Sequence, residues 1–332
     1  MSIPVAQGLR IFSYILKQKI LGNKKYPLVL MLEPLFRCNL ECPGCGKIQY
    51  PDVILKQHLT VEECLKAAEE CGAPVVSIPG GEPLLHPDMP EIVTGLIKQK
   101  RYIYLCTNAI LLKRRISQYA PSGYLTWSVH LDGLRDIHDH AVKREGVFDQ
   151  AVAGIKEALS RGHRVTTNTT IYEGMDIDKV REFFDFVMDL GVEGMVLSPG
   201  FPYEQARDQG FFLKREKSKE FFKEILTQPH KKWVFNQSPF YLKFLTGEID
   251  YQCTPWGTPT RNIFGWQRPC YLLNEGSEDS FKKLISNTRW QDFGTGNNPK
   301  CADCMMSCGY EPSAVVDSFS SLKKFLRTVR EF

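Results

Sequence analysis

Cys38-Asn39-Leu40-Glu41-Cys42-Pro43-Gly44-Cys45 sets three thiols at C-x3-C-x2-C spacing. Thiolates this close in sequence can hold one Fe–S cluster while leaving one iron without a protein ligand. An open iron can bind a small chelating molecule and deliver one electron into it. A site closed by four cysteines suits storage or structure better. Two other readings of the triplet stand beside this one: a structural zinc knuckle, and three unrelated buried thiols.

Outward from the triplet, apolar runs alternate with helical patterns. Strands are predicted at 29–33, 75–79, 102–106, 125–131, 165–171 and 194–198, and helices at 60–71, 87–98, 111–119, 148–161 and 177–190. Thr60 with Glu63 three residues later is a capping-box pattern. Asp176 precedes Val180, Phe183, Phe184, Val187 and Leu190, an apolar face at helical spacing. This alternation predicts an α/β fold, a partial parallel (β/α)6 barrel over residues 27–200. Barrels of this kind carry their chemistry at the C-terminal ends of the strands. Three polar tips fall there: Gly80-Gly81-Glu82-Pro83, Thr107-Asn108, and Ser128-Val129-His130-Leu131-Asp132-Gly133.

The 332 residues suffice for one large core plus an extension. A net charge of +4, with no basic stripe interleaved with aromatics, argues against nucleic acid. Eleven cysteines with no apolar leader run do not read as a secreted disulfide framework. Free thiols and a cluster motif point to a reducing cytoplasm, and no run of 18 apolar residues is present.

After about residue 200 the alternation stops. Residues 201–332 form a Cys-containing C-terminal extension with Cys253, Cys270, Cys301, Cys304 and Cys308. Their C-x2-C-x3-C core has metal-ligand spacing, read as a second Fe–S cluster, a structural zinc or unligated thiols. Residues 1–26 read as a basic amphipathic helix. Val5, Leu9, Phe12, Leu16 and Ile20 lie on one face, and Lys17, Lys19, Lys24 and Lys25 gather near its end. Such a helix packs on the barrel or touches a membrane surface.

The triplet and the three strand-end tips together resemble the radical S-adenosylmethionine (SAM) superfamily. The resemblance implies a [4Fe–4S] cluster on Cys38, Cys42 and Cys45, with SAM on the fourth iron. It implies a low-potential electron donor such as flavodoxin or ferredoxin. Gly80, Gly81, Glu82 and Pro83 resemble the loop that receives the SAM ammonium. Thr107, Asn108, Ser128, His130 and Asp132 are candidates for its ribose and carboxylate, with a satisfied strand-end histidine as the other reading of His130. Gly44 departs from the family, which usually has an aromatic there. His138, His140 and Arg144 read as a solvent-exposed loop.

Longer phrases, including YPLVLMLEPLFRCNL, CGAPVVSIPGGEPLLH, CTPWGTPTRNIFGWQRPCYLL and KCADCMMSCGYE, resemble the adenosylhopane synthase subfamily from about residue 26 to 317. That resemblance implies addition of the 5′-deoxyadenosyl radical to the terminal methylene of diploptene. SAM is then a co-substrate and the pocket is apolar, with Phe201, Tyr203, Phe211, Phe212, Trp256, Phe264 and Trp266 available to line it. Cys106, at the end of a predicted strand, is a candidate hydrogen donor to the carbon radical left behind; as a small core hydrophobe it needs no such role. Two other classes are hydrogen abstraction from a peptide or small polar substrate, and an Fe–S scaffold. A scaffold has no use for the strand-end loops.

Overall fold

The structure is a computed structural model. It describes all residues except 1–2, 204–205, 211, 228–231, 322, 325–327 and 329–332. The predicted strands form as β1 (Val29–Leu32), β2 (Val75–Ile78), β3 (Tyr102–Thr107), β4 (Leu125–His130), β5 (Arg164–Ile171) and β6 (Met195–Pro199). They pair in parallel in the order β6-β5-β4-β3-β2-β1. Period-two alternation fixes which side chains enter the barrel. Leu30, Leu32, Val76, Ile78, Ile103, Leu105, Trp127 and Val129 face outward and are fully buried under the helices. Ser77, Tyr104, Cys106 and His130 take the opposite, partly open face toward the lumen.

The helices carry the expected caps. Thr60 and Glu63 form both halves of the capping box on Val61–Cys71, and Asp176 Oδ1 accepts from the Lys179 amide on Ile177–Asp189. Residues 111–119 are shorter than expected, one α-turn at Leu112–Arg115 followed by a 3-10 turn at Ile116–Gln118. One helix was missed. Arg135–Ala141 occupies the segment read as an exposed loop, and His138 within it is fully buried. Its two histidines and two aspartates masked the pattern.

The larger departure is in the second half. β7 (Thr260–Asn262), β8 (Gly265–Pro269) and β9 (Asn274–Glu278) continue the same sheet. β7 pairs in parallel with β1, and the hairpin strands follow antiparallel. At the other edge, Met195 of β6 exchanges hydrogen bonds with the backbone of residues 234 and 236. The C-terminal region therefore covers both edges of the parallel run.

The N-terminal helix α1 (Val5–Ile20) lies under the barrel. Its buried Gln7 donates to the Tyr104 hydroxyl at 3.1 Å, within the lumen wall. Nearby is Glu311, half-buried, whose Oε1 accepts from the Ser238 amide at 2.6 Å. Burial raises its carboxyl to about 8. A carboxyl raised in the fold costs stability as pH climbs from its unfolded value through its folded one. Glu311→Gln is therefore expected to stabilise the protein at pH 8, by on the order of 3 kcal/mol, with the gain vanishing by about pH 5. Thermal melts of both proteins across that range check it; a pH-independent difference would show that Glu311 does not titrate this way.

Candidate active site

The three cysteines sit on the loop that follows β1, and the loop is placed by backbone pairing. Gly81 N–H donates to Leu35 O at 3.0 Å, and Glu82 N–H to Arg37 O at 2.9 Å. The chain entering the cysteine loop is thus stitched to the tip of β2. Gly80 has φ of +118°, and a Cβ there would stand 2.4 Å from Leu35 O. At Gly81 a Cβ would stand 2.2 Å from Arg37 O and 2.3 Å from Phe36 O. The close approach these glycines permit is to protein backbone.

Glu82 is fully buried and ties β2 to β3. Oε1 accepts from the Leu84 amide at 3.0 Å and the Thr107 hydroxyl at 2.8 Å, and Oε2 from the Asn108 amide at 2.8 Å. Burial raises its carboxyl to about 7 against the pull of those donors. Asn108 then reaches across to the cysteine loop. Its Nδ2 donates to Asn39 Oδ1 at 2.8 Å and stands 3.8 Å from Cys38 Sγ. Gly80, Gly81, Glu82, Thr107, Asn108 and the first cysteine thus meet at one place.

The thiols fit a cluster. Backbone N–H groups of Leu40 and Lys47 point at Cys38 Sγ and Cys45 Sγ, each at 3.4 Å. Burial pushes the Cys38 thiol up to about 12 and raises those of Cys42 and Cys45. For Cys42 the two neighbouring thiols add to the effect. Thiols that resist ionisation on their own suit a site where bound iron supplies the positive charge. No three His, Cys, Asp or Glu side chains among the described residues are arranged around a single metal ion.

β4 delivers a charged pair. His130 Nε2 is 2.7 Å from Asp132 Oδ2, and Asp132 Oδ1 accepts from the Thr170 amide at 2.8 Å. Burial disfavours the imidazolium, but Asp132 and then Glu82 outweigh it and hold the His130 pKa above its usual value. Behind the pair, burial lowers His138 to about 4, and its Nδ1 accepts from the Asp132 amide at 3.2 Å. The neutral His138 is a prop for the Asp132 turn, which corrects its reading as a solvent-exposed residue.

Cys106 points into the lumen. Its Sγ lies 3.6 Å from Ser77 Oγ and pairs in register with Ser128 on β4. Burial raises its pKa, so the group is a protonated thiol.

Sequence reading missed a cation beside the triplet. Lys47 is buried with its Nζ 3.0 Å from Glu33 Oε1 and 4.1 Å from the centre of the Tyr271 ring. The same ammonium is 3.4 Å from the carbonyl of Tyr271, the residue after Cys270. Lys47 therefore spans from the first cysteine group to the second. A lone lysine two residues past a cysteine carries no sequence signal; only the fold brings Glu33 and Tyr271 to it.

The aromatic candidates divide. Phe201 and Tyr203 pack edge to face at 5.6 Å, Tyr203 contacts Tyr271 at 6.4 Å, and Phe212 contacts Tyr172 at 6.1 Å. Tyr172 lies just past the end of β5, and Phe201 and Tyr203 just past the end of β6. Trp266 is buried on the outer face against Phe281, Phe264 stacks outside with Phe36 and Tyr50, and Trp256 packs on Trp290. Trp266 and Phe264 lie on β8 and the turn before it, at the edge of the sheet, and Trp256 lies in the 3-10 turn ahead of β7. Phe211 lies outside the described residues.

All five C-terminal cysteines gather. Cys253, Cys270, Cys301, Cys304 and Cys308 line one small cavity of about 20 Å³, with Phe201, Phe293 and Tyr310. Burial raises the Cys253 and Cys308 thiols strongly, and neighbouring cysteines add to it. The donor set is pure sulfur, which suits an Fe–S cluster or zinc.

Residues 32–187 match the Radical SAM superfamily. Over those residues the chain is similar to radical SAM proteins. Residues 195–328 match a second family, described as a domain of unknown function (DUF3463). The similarity to radical SAM proteins implies a [4Fe–4S] cluster and SAM. A GTP 3′,8-cyclase of Clostridium perfringens (strain 13 / Type A) is 27% identical over 159 residues, 46% of this chain and 49% of that protein. The chain thus spans about half the length of that relative. The GTP 3′,8-cyclase of Clostridium botulinum (strain Hall) is 28% identical over 76% of this chain and 83% of its own. Streptococcus suis SuiB, solved bound to S-adenosylmethionine, has a TM-score of 0.65 at 17% identity, over 87% of this chain and 73% of its own. SuiB has also been solved bound to the precursor peptide SuiA. The enzyme anSMEcpe with bound AdoMet has a TM-score of 0.57 at 16% identity, over 92% and 98%. At these identities the solved structures speak for the fold alone. No helix among the described residues is long and apolar enough to cross a membrane.

Proposed function

We propose that this protein is a radical SAM transferase that adds the 5′-deoxyadenosyl group to the terminal alkene of an apolar polycycle, diploptene, giving adenosylhopane. Cys38, Cys42 and Cys45 would hold a [4Fe–4S] cluster, which when bound and reduced would supply the electron for cleavage of SAM to methionine and a 5′-deoxyadenosyl radical. The observation that carries the reading is the strand-end mouth. Tyr172 follows the end of β5, Phe201 and Tyr203 follow the end of β6, Tyr271 stands over the Lys47 ammonium, and the Cys106 thiol faces the lumen. Aromatic walls suit a hydrocarbon without polar handles. Addition to an alkene leaves a tertiary carbon radical that must gain a hydrogen atom. The Cys106 S–H bond gives its hydrogen atom to that carbon, leaving a thiyl radical. One electron from a low-potential donor of the flavodoxin or ferredoxin class and one proton restore the thiol.

Gly80, Gly81, Glu82 and Pro83, with Thr107, Asn108, Ser128, His130 and Asp132, form the SAM side of this proposal. The buried Glu82 fixes the loops, and the partly open His130–Asp132 pair faces the ligand. A second reading is hydrogen abstraction from a peptide or small polar substrate. The five-cysteine cavity and the names of the relatives favour it, since a second cluster suits a two-electron oxidation. SAM, dithionite and, in turn, diploptene, GTP and candidate peptides separate the readings. Adenosylated hydrocarbon supports the first; free 5′-deoxyadenosine with a modified peptide or nucleotide and unchanged diploptene rules it out.

Cys106→Ala is expected to retain SAM cleavage and carbon–carbon bond formation while giving altered or mixed configuration at the quenched carbon. Product stereochemistry under anaerobic conditions is the readout. A single unchanged stereoisomer at unchanged yield would remove the donor role.

A further inference from the structure

We propose that the outer face of α1 seats the protein on an anionic lipid bilayer, and the proposal does not depend on the substrate. α1 buries Gln7 and Ile15 against the protein and turns a second apolar stripe outward. Gln7, 2% exposed, is inserted into the barrel wall. The outer stripe is exposed along its whole length: Val5 56%, Leu9 59%, Phe12 38%, Leu16 47% and Ile20 77%, followed by Leu21 at 60%. These six account for most of the exposed large hydrophobics among the described residues; the others are Val53 and Phe264. The spacing i, i+4, i+7, i+11, i+15 is one continuous ridge along a helix roughly 24 Å long. One end of Phe12 meets the ring of Phe319, so the ridge is anchored to the body of the protein.

Charge chooses the occupant. Arg10, Lys17, Lys19, Lys24 and Lys25 are all exposed, and no acidic residue precedes Glu33. A contiguous apolar ridge flanked only by cations matches the interface of an anionic membrane, where the ridge enters the acyl boundary and the lysines meet headgroups. A second copy docked on the same face would bring five cations against five, which disfavours self-association.

The experiment is vesicle co-sedimentation of the full chain. Phosphatidylcholine vesicles are compared with vesicles containing phosphatidylglycerol, at low and high salt. The bound fraction is expected to rise at least roughly tenfold with phosphatidylglycerol and to fall as salt screens the lysines. Leu9→Glu/Leu16→Glu/Ile20→Glu alters only exposed side chains, so circular dichroism and melting stay as in the parent while binding is lost. Lys17→Gln/Lys19→Gln/Lys24→Gln is expected to lose the preference for phosphatidylglycerol. Equal sedimentation with both vesicles overturns the proposal. So does full binding by the triple glutamate variant, or a dimer in analytical ultracentrifugation that the same variant dissolves.

Discussion

Replacing any one of Cys38, Cys42 or Cys45 by alanine is expected to reduce SAM cleavage by at least about a thousandfold and to remove the cluster's absorbance and reduced electron paramagnetic resonance signal. An iron without its thiolate is released or rearranged, and the remaining two sulfurs do not hold a cubane. The loop itself should survive. Its position depends on the pairing of 35–37 with Gly81 and Glu82 and on turns such as Cys45 N–H to Cys42 O at 3.1 Å, not on the sulfurs. The variants are therefore expected to melt within a few degrees of the apoprotein. Cleavage near the parental rate in one variant would take that cysteine out of the site.

Gly81→Ala is expected to be the most damaging change that touches no chemical group. The added carbon would meet two backbone oxygens, Phe36 O at 2.3 Å and Arg37 O at 2.2 Å. Backbone cannot swing aside as a side chain does, so the pairing with Leu35 and Arg37 must break. The cost is put at about 4–5 kcal/mol or more, the range reserved for such collisions. Cluster content should fall with it, because the cysteine loop loses its tether. Gly8→Ala is the control. It sits in α1 with nothing within 4 Å of the new carbon and should stabilise slightly, by up to about 1 kcal/mol. Denaturant midpoints with iron and sulfide analysis measure both. If Gly81→Ala loads a full cluster, the tether has been given the wrong role.

The parallel half of the fold was legible because its outward-facing residues are nearly all apolar and its helices announce their caps. Thr60, Glu63 and Asp176 sit where the pattern placed them. The triplet and the polar tips were legible for the same reason: they fall at strand ends. What was hidden depends on long-range encounters. β7 to β9 are short and carry Arg, Asn, Gly and Glu, so no run suggests strands, and β7 gains its meaning only from β1 more than two hundred residues earlier. Lys47 reads as a surface lysine until Glu33 and Tyr271 close on it. Gly80 and Gly81 were legible as special, but the backbone they accommodate was not. Trp256, Phe264 and Trp266 looked equivalent to Phe201 and Tyr203 until the sheet sent them outside.

The seat of β1 between β2 and β7 has a consequence for how the chain is made. On the ribosome, β1 emerges early and finds β2 within about 45 residues, yet its other edge stays unpaired until residue 260 has been synthesised. At typical elongation rates of roughly 5–20 residues per second, that edge is open for on the order of ten seconds or more. The cysteine loop hangs from this same strand. Insertion of iron and sulfide into Cys38, Cys42 and Cys45 can thus precede the closing of the sheet, and a fragment ending near residue 200 would keep the motif while offering a bare strand edge to its neighbours.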